Sequence, residues 1–213
     1  MVYMKYDLIL IDGMHLMHRA AHSYRELGVY RGDHFFPTGC IYGFIFLATN
    51  VWKKHGNPHS RLVVCWDAGY DHRTALYPLY KANRRVAREE GEASSIPAQK
   101  TALQRILRVA GWAQAVSPGF EADDVMGTLA SQEKGSVAIY TGDQDLHQMV
   151  CDRTHVISAS KGKEVIWDIA KVQWEGLEKS HDHKTSTRKY YAHKSISGSR
   201  NYRRVHSSFR RAR

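Results

Sequence analysis

Seven acidic side chains fall on four short segments in an arrangement suited to phosphodiester hydrolysis. Leu8-Ile9-Leu10-Ile11 ends in Asp12, and Leu62-Val63-Val64-Cys65-Trp66 ends in Asp67. Ile139-Tyr140-Thr141-Gly142 leads into Asp143 and Asp145, and the fourth segment carries Glu121, Asp123 and Asp124. An apolar run that stops at Asp is how a buried parallel strand looks where it leaves its sheet. Ligands of open α/β sheets bind beyond the carboxyl ends of the strands, so these residues are expected to converge. Carboxylates held together raise one another's pKa values, and hard divalent cations with oxygen ligands relieve the repulsion. Two such ions about 4 Å apart can activate a water and stabilise the leaving oxygen of a phosphodiester. Mg²⁺ is the natural candidate, because it binds through a few carboxylates and keeps several waters, with Mn²⁺ as the alternative.

Each segment alone has an ordinary explanation. A strand-end Asp such as Asp12 is most often a helix cap or turn residue. Asp123 and Asp124 suit the positive end of a helix, and Asp143-Gln144-Asp145 could be a plain turn. The coincidence of four segments, three of them after buried strands, favours an active site. Glu121 and Asp124, three residues apart, share a helix face. Tyr80-Lys81-Ala82-Asn83-Arg84-Arg85 lies between the second and third acidic segments, and a cationic pair beside an aromatic suits a phosphate with a base stacked on the ring. His15, His18 and His147 lie near the acids but are not read as ligands, since hard-ion sites prefer oxygen and the chain has 13 histidines.

The elements that must hold these groups alternate between strand and helix patterns. Strands are expected at 7–11, 62–66, 137–140, 154–157 and 164–167. Helices are expected from about His15 to Leu27, from Pro37-Thr38 onward, over 73–80, from Ile96-Pro97 to Gly111, and over 121–131. The polar, Gly- and Ser-containing stretch 85–95 reads as a mobile segment. This alternation implies an α/β body with a mainly parallel sheet. Beyond about Val172 the periodicity disappears.

The length of 213 residues allows one good-sized core, and the 43% hydrophobic share is that of a globular protein. No apolar run is long enough to span a bilayer, and no signal-peptide pattern opens the chain; the cytoplasmic location expected rests on the cysteines, read as buried thiols of a reducing compartment. Cys40, Cys65 and Cys151 lack metal-ligand spacing and are expected to be buried thiols. The net charge of +10 is concentrated at one end. From Trp174 to Arg213 there are eleven Lys and Arg against three acids, a net of +8, and no acid follows Asp182. A polyanion partner and a solvated, disordered tail fit this composition equally well.

These residues resemble the 5′-nuclease family, which comprises the 5′–3′ exonuclease domain of bacterial DNA polymerase I, phage 5′ exonucleases and flap endonucleases. The resemblance runs from about residue 6 to 170. It is carried by Leu10-Ile11-Asp12-Gly13 with Arg19-Ala20, Pro37-Thr38-Gly39 with Tyr42-Gly43-Phe44, and Tyr80-Lys81-Ala82-Asn83-Arg84. Glu121-Ala122-Asp123-Asp124-Val125 with Gly127-Thr128-Leu129-Ala130, and Thr141-Gly142-Asp143 with Asp145, carry it further. The resemblance implies a PIN-like α/β nuclease domain over 1–172, with a mainly parallel sheet flanked by helices. It implies Mg²⁺-dependent cleavage near 5′ ends or flaps of DNA, or of RNA primers in RNA–DNA hybrids, in replication and repair. Asp12, Asp67, Glu121, Asp123, Asp124, Asp143 and Asp145 would be the metal carboxylates. Lys81 and Arg84 would be the catalytic contacts to the scissile phosphate. Tyr80 would sit near the unpaired nucleotide, Arg85 would add to nucleic-acid binding, and residues 85–97 would form the arch over the 5′ strand.

The chain departs from the family in two places. The position after Gly13, usually Asn, is Met14. The family continues into a helix-turn-helix-like domain with a Gly-Asp-x-x-Asp-Asn stretch whose acids help hold the second metal, and nothing after Asp168-Ile169-Ala170 matches it. Residues 173–213 are therefore expected to be a basic, low-order tail from a truncated or frame-shifted reading frame, leaving the second metal site incomplete. The expected protein is a monomeric metal-dependent nuclease of a bacterial or phage-infected cell, without organic cofactor or membrane partner. A weakly active or inactive branched-DNA-binding protein and a PIN-type RNA endonuclease are the alternatives.

Overall fold

The computed structural model of the protein describes residues 4–77, 79–80, 96–160 and 163–181. The first strand, β1 (Tyr6–Asp12), leads straight into α1 (Gly13–Ser23). A two-stranded hairpin follows, β2 (Gly28–Arg31) with β3 (His34–Pro37), then the long helix α2 (Gly39–His55) and β4 (Gly56–Trp66). After the short α3 (Asp71–Leu76) come α4 (Ile96–Val109), β5 (Ala113–Val116), α5 (Ala122–Gln132) and β6 (Val137–Tyr140). A 3₁₀ helix (Gln144–Met149), β7 (Thr154–Ser160), β8 (Lys163–Trp167) and α6 (Ile169–His181) complete the described chain.

Six strands form one sheet in the order β5-β4-β1-β6-β7-β8, with only β8 antiparallel to its neighbour. Residues 8–11 of β1 are all buried, as expected of a central strand covered on both faces. Their alternation divides the core. Ile9 and Ile11 pack with Leu16, Phe44, Leu103 and Leu107 under α1, α2 and α4, whereas Leu8 and Leu10 pack with Val125, Met126 and Ile139 under α5. The result is a three-layer α/β/α body. The chain runs outward from β1 through β4 to β5, then crosses to β6 on the other side of β1. That reversal opens a crevice at the carboxyl ends of the central strands, where Asp12, Asp67 and Asp143 lie.

The α/β class and mainly parallel sheet match the sequence reading, and five of its differences have local causes. First, α1 ends at Ser23, not Leu27, and a hairpin follows. Its sequence mark is Gly32-Asp33, with Gly32 at φ 60°, between Val29-Tyr30 and Phe35-Phe36. Second, β4 starts at Gly56, six residues early: Tyr6 pairs with Gly56 and Leu8 with Arg61, so the polar stretch 57–60 bulges out and hides the pattern. Third, α3 spans 71–76 instead of 73–80. Fourth, α6 continues through His181, so the boundary drawn at 172 falls inside a helix. Fifth, Cys151 is exposed, whereas Cys40 and Cys65 are buried as expected. The basic segment 182–213, the stretch 81–95 and, within it, Lys81, Arg84 and Arg85 lie outside the described residues. Among the described residues no helix is long and apolar enough to cross a membrane.

Candidate active site

Three strand ends and one helix start meet in the crevice. Asp12, the last residue of β1, caps α1 by accepting the His15 backbone N–H at 2.9 Å on Oδ1. Its other oxygen, Oδ2, accepts the hydroxyl of buried Thr141 at 2.9 Å. Thr141 Oγ1 in turn accepts the Asp143 N–H at 3.1 Å, so one side chain ties the ends of β1 and β6 together. Asp143 caps the 3₁₀ helix by accepting the Asp145 N–H at 2.8 Å. Asp12 is thus a cap as well as a crevice carboxylate, and the two readings of that residue are not exclusive.

Asp67 follows β4 and accepts the Ala122 N–H at 2.8 Å, which fastens the β4 end to the start of α5. The adjoining loops pair through Ala68 N–H to Phe120 O at 3.0 Å and Gly119 N–H to Ala68 O at 2.8 Å. Gly119 sits at φ 78°, a left-handed conformation that glycine adopts without strain, and so permits this close loop contact. Lys100 reaches the Asp67 carbonyl at 3.4 Å and stands over the Trp66 ring.

At the start of α5, Glu121 is the N-cap, and Asp124 Oδ2 accepts its N–H at 3.2 Å. These two carboxylates meet Arg73 of α3. Nη1 lies 2.8 Å from Glu121 Oε2 and donates to the Tyr80 hydroxyl at 2.6 Å, while Nη2 donates to Asp124 Oδ1 at 2.9 Å. The Tyr80 hydroxyl donates to Glu121 Oε2 at 2.7 Å.

Asp123 faces the other acids. Burial first, then repulsion from Asp143 and Asp12, pushes its carboxyl up to about 7. Burial also raises the Asp12 carboxyl, against the hydrogen bonds from His15 and Thr141, and Asp67 adds to the rise. The His15 imidazole lies against Gly142, where an added Cβ would stand 2.3 Å from Cε1 and 2.8 Å from Nδ1. Burial pulls that imidazole below its ordinary range, against the pull of Asp12, and its Nε2 is buried with no hydrogen-bond partner among the described residues.

The predicted acids therefore divide. Asp123 lies within electrostatic reach of Asp143 and Asp12, and Asp12 of Asp67, whereas Glu121 and Asp124 pair with Arg73; Asp67, Asp143 and Asp145 are all exposed. Among the described residues no three His, Cys, Asp or Glu side chains stand close enough to hold a metal ion as they lie. Tyr80 is in place beside the α5 acids. Arg73, Thr141 and His15 have contacts that the sequence did not disclose. Thr141 sat inside a recognised motif without a role, and Arg73 carried only its charge as a signal. His147 packs on Trp167 with ring centroids 4.2 Å apart.

Comparison with known proteins agrees with this architecture. The chain is 33% identical over 154 residues to thermostable DNA polymerase I of Thermus aquaticus, covering 70% of this chain and 17% of that one. It is 34% identical over 155 residues to a 5′-3′ exonuclease of Aquifex aeolicus, covering 71% of this chain and 50% of that one. It thus spans between about a sixth and a half of these curated relatives. The fold resembles that of T5 D15 protein co-crystallised with metal ions, with a TM-score of 0.57 at 17% identity over 80% of this chain and 60% of that one. The catalytic core of Rad2 in complex with DNA gives a TM-score of 0.51 at 15% identity over 81% of this chain and 51% of that one. Residues 7–176 match the family model for the 5′-3′ exonuclease N-terminal resolvase-like domain, and the chain belongs to that family.

Proposed function

We propose that the protein is a divalent-metal-dependent nuclease that hydrolyses DNA phosphodiesters at 5′ ends or flaps. The observation that carries this reading is that three strand ends bring acids to the sheet's switch point: Thr141 ties Asp12 to the Asp143 backbone, and Asp67 is fastened to the start of α5, which carries Asp123. Family membership supports nuclease chemistry, and the metal ions in the T5 D15 crystals support the cofactor class. The donors are all carboxylate oxygens, which fits Mg²⁺ or Mn²⁺ better than a softer ion. Asp12, Asp67, Asp123 and Asp143 would hold the first ion, with Glu121, Asp124 and Asp145 completing the acidic rim. When bound, such an ion supplies an acidified water and positive charge against the phosphate.

The chain's own residues do the remaining work. Thr141 and the α1 N-terminus orient Asp12. The Ala122 N–H orients Asp67. Arg73 and Tyr80 hold the α5 start. Lys81 and Arg84, on the segment that follows Tyr80, would bind the scissile phosphate, and Arg85 would add to backbone affinity. A DNA duplex carrying a 5′ flap would enter over the carboxyl ends of β1, β4 and β6. RNA–DNA hybrids are a further substrate class, and a monomer suffices, since every proposed group comes from one chain.

A second reading is a weakly active or inactive branched-DNA binder. It is favoured by Glu121 and Asp124 already being paired with Arg73. The test is cleavage of a labelled 5′-flap duplex, a blunt duplex and single-stranded RNA with Mg²⁺, with Mn²⁺ and with EDTA. Flap cleavage that requires the metal and is abolished in Asp143→Ala, whose DNA affinity and melting temperature persist, is the expected result. Flap binding without cleavage in either metal would establish the second reading, and preferential cleavage of RNA would establish a PIN-type ribonuclease.

A further inference from the structure

Three described elements converge on one guanidinium. Arg73 projects from α3, Tyr80 from the turn that follows, and Glu121 and Asp124 from the start of α5. Three of the groups close a ring, Arg73 to Glu121 at 2.8 Å, Arg73 to the Tyr80 hydroxyl at 2.6 Å and that hydroxyl to Glu121 at 2.7 Å, and Asp124 joins it through Arg73 at 2.9 Å. The Arg73 guanidinium also stands 5.4 Å from the Tyr80 ring centroid. The Glu121 side chain is only 7% exposed, so the Arg73 cation contributes to compensating its buried charge. Among the described residues, Asp12, Asp123 and Asp143 take part in no ion pair. Arg73 thus offsets charge on the Glu121 and Asp124 side of the crevice, while Asp123 feels Asp143 and Asp12 more strongly than it feels Arg73.

We propose that Arg73 is a positioning residue that acts as a resident cation, holding Glu121 and Asp124 to Tyr80 so that a divalent ion must compete with it for these two carboxylates. The inference rests on the nuclease reading and deepens it. It assigns the ion to the Asp12, Asp123 and Asp143 side first, and makes engagement of Glu121 or Asp124 by an ion conditional on displacing a guanidinium. A planar guanidinium suits this role, since its separate nitrogens reach the two carboxylates and the hydroxyl in a fixed fork, whereas an ammonium is a compact point charge without that span. The same contact links the α5 acids to the residue immediately before Lys81, so metal occupancy and the position of the phosphate-binding segment are coupled through one side chain.

The test uses the full chain and needs no turnover. Mn²⁺ binding isotherms and melting temperatures with and without Mn²⁺ are measured for wild type, Arg73→Gln and Arg73→Lys. Without metal, Arg73→Gln should melt lower, because two carboxylates have lost the guanidinium that pairs with both. It should then bind Mn²⁺ about tenfold tighter, the scale of one opposite charge beside a carboxylate. Saturating Mn²⁺ should also raise its melting temperature by more than that of wild type. Arg73→Lys retains charge at one carboxylate and should gain about threefold on the same scale. A lowered melting temperature with an unchanged or weaker isotherm would reduce Arg73 to a structural brace and overturn the proposal. If Arg73→Gln does not fold, an unchanged or weaker isotherm for Arg73→Lys overturns it equally. Failure of the wild-type chain to bind Mn²⁺ would instead overturn the metal-dependent reading itself, and the inference with it.

Discussion

The Thr141 hydroxyl donates to Oδ2 of Asp12 at 2.9 Å, joining the ends of two neighbouring parallel strands through a single buried side chain. Thr141 Oγ1 also accepts the Asp143 N–H, so Thr141 sets both the orientation of one acid and the backbone that carries another. Thr141→Val keeps the shape and removes both interactions. It should cost about 1–3 kcal/mol, the desolvation penalty of buried groups left unpaired. Cleavage should fall while DNA affinity holds, because Asp12 loses its alignment and the phosphate contacts are untouched. Thr141→Ser should restore both properties. Melting curves and single-turnover rates check this, and a valine variant with wild-type rate would show that the hydroxyl is incidental.

Metal-free stability should fall as pH rises through neutrality. The Asp123 carboxyl is raised from its ordinary 3.8 to about 7 in the folded chain, and Asp12 is raised in the same direction. A group whose folded pKa exceeds its unfolded one stabilises the fold below the unfolded value and loses that contribution as pH climbs to the folded one. The window is therefore about pH 4 to 7, and within it the folded chain binds more protons than the unfolded one. Melting temperatures in EDTA should decline across that range, and Asp123→Asn should flatten the decline. Mn²⁺ should restore stability most strongly at the upper end, where a bound cation no longer competes with protons. Equal slopes in wild type and Asp123→Asn would refute this.

Asp12, Asp67 and Asp143 were legible because an apolar strand runs up to each of their segments, and the central sheet because Ile9, Leu10 and Ile139 lie in apolar runs. The partition among the acids was not legible. The spacing of Glu121 and Asp124 puts them on one helix face, but nothing in it shows that Arg73 pairs with both while Asp123 feels Asp143 and Asp12 more strongly than Arg73. That outcome depends on where α3 lies, which no periodicity in a six-residue helix reveals. The hairpin was missed because Val29, Tyr30, Phe35 and Phe36 are exposed and show no buried face. α6 was missed because charge and small residues mask its short apolar stripe.

Gly142 and His15 form a pair that a double-mutant cycle can resolve. An alanine Cβ at 142 would press into the imidazole, so Gly142→Ala should cost about 1–3 kcal/mol through overpacking. His15→Ala removes the obstruction, and the double variant should recover most of that loss, with a coupling energy of roughly 0.5–3 kcal/mol. Thermal melts of the four proteins measure it. Strict additivity would mean that the ring simply swings aside.

The basic segment after Asp182 should bind DNA through charge alone. It carries ten Lys and Arg and no acidic residue, so counterion release dominates its contribution to affinity. The deletion that tests this should begin at residue 182 and not at 174, because α6 continues through His181 and the family match reaches residue 176. Removing 182–213 should flatten the dependence of log K on log salt by roughly 0.9 for each duplex phosphate the segment neutralises. The loss of affinity should be equal for flapped and plain duplex, since electrostatic contacts to the backbone carry no structural preference. Melting temperature and metal-dependent cleavage at low salt should survive, because every proposed site residue precedes the cut. A loss of affinity confined to flapped DNA would instead assign this segment a structure-specific contact and refute a purely electrostatic role.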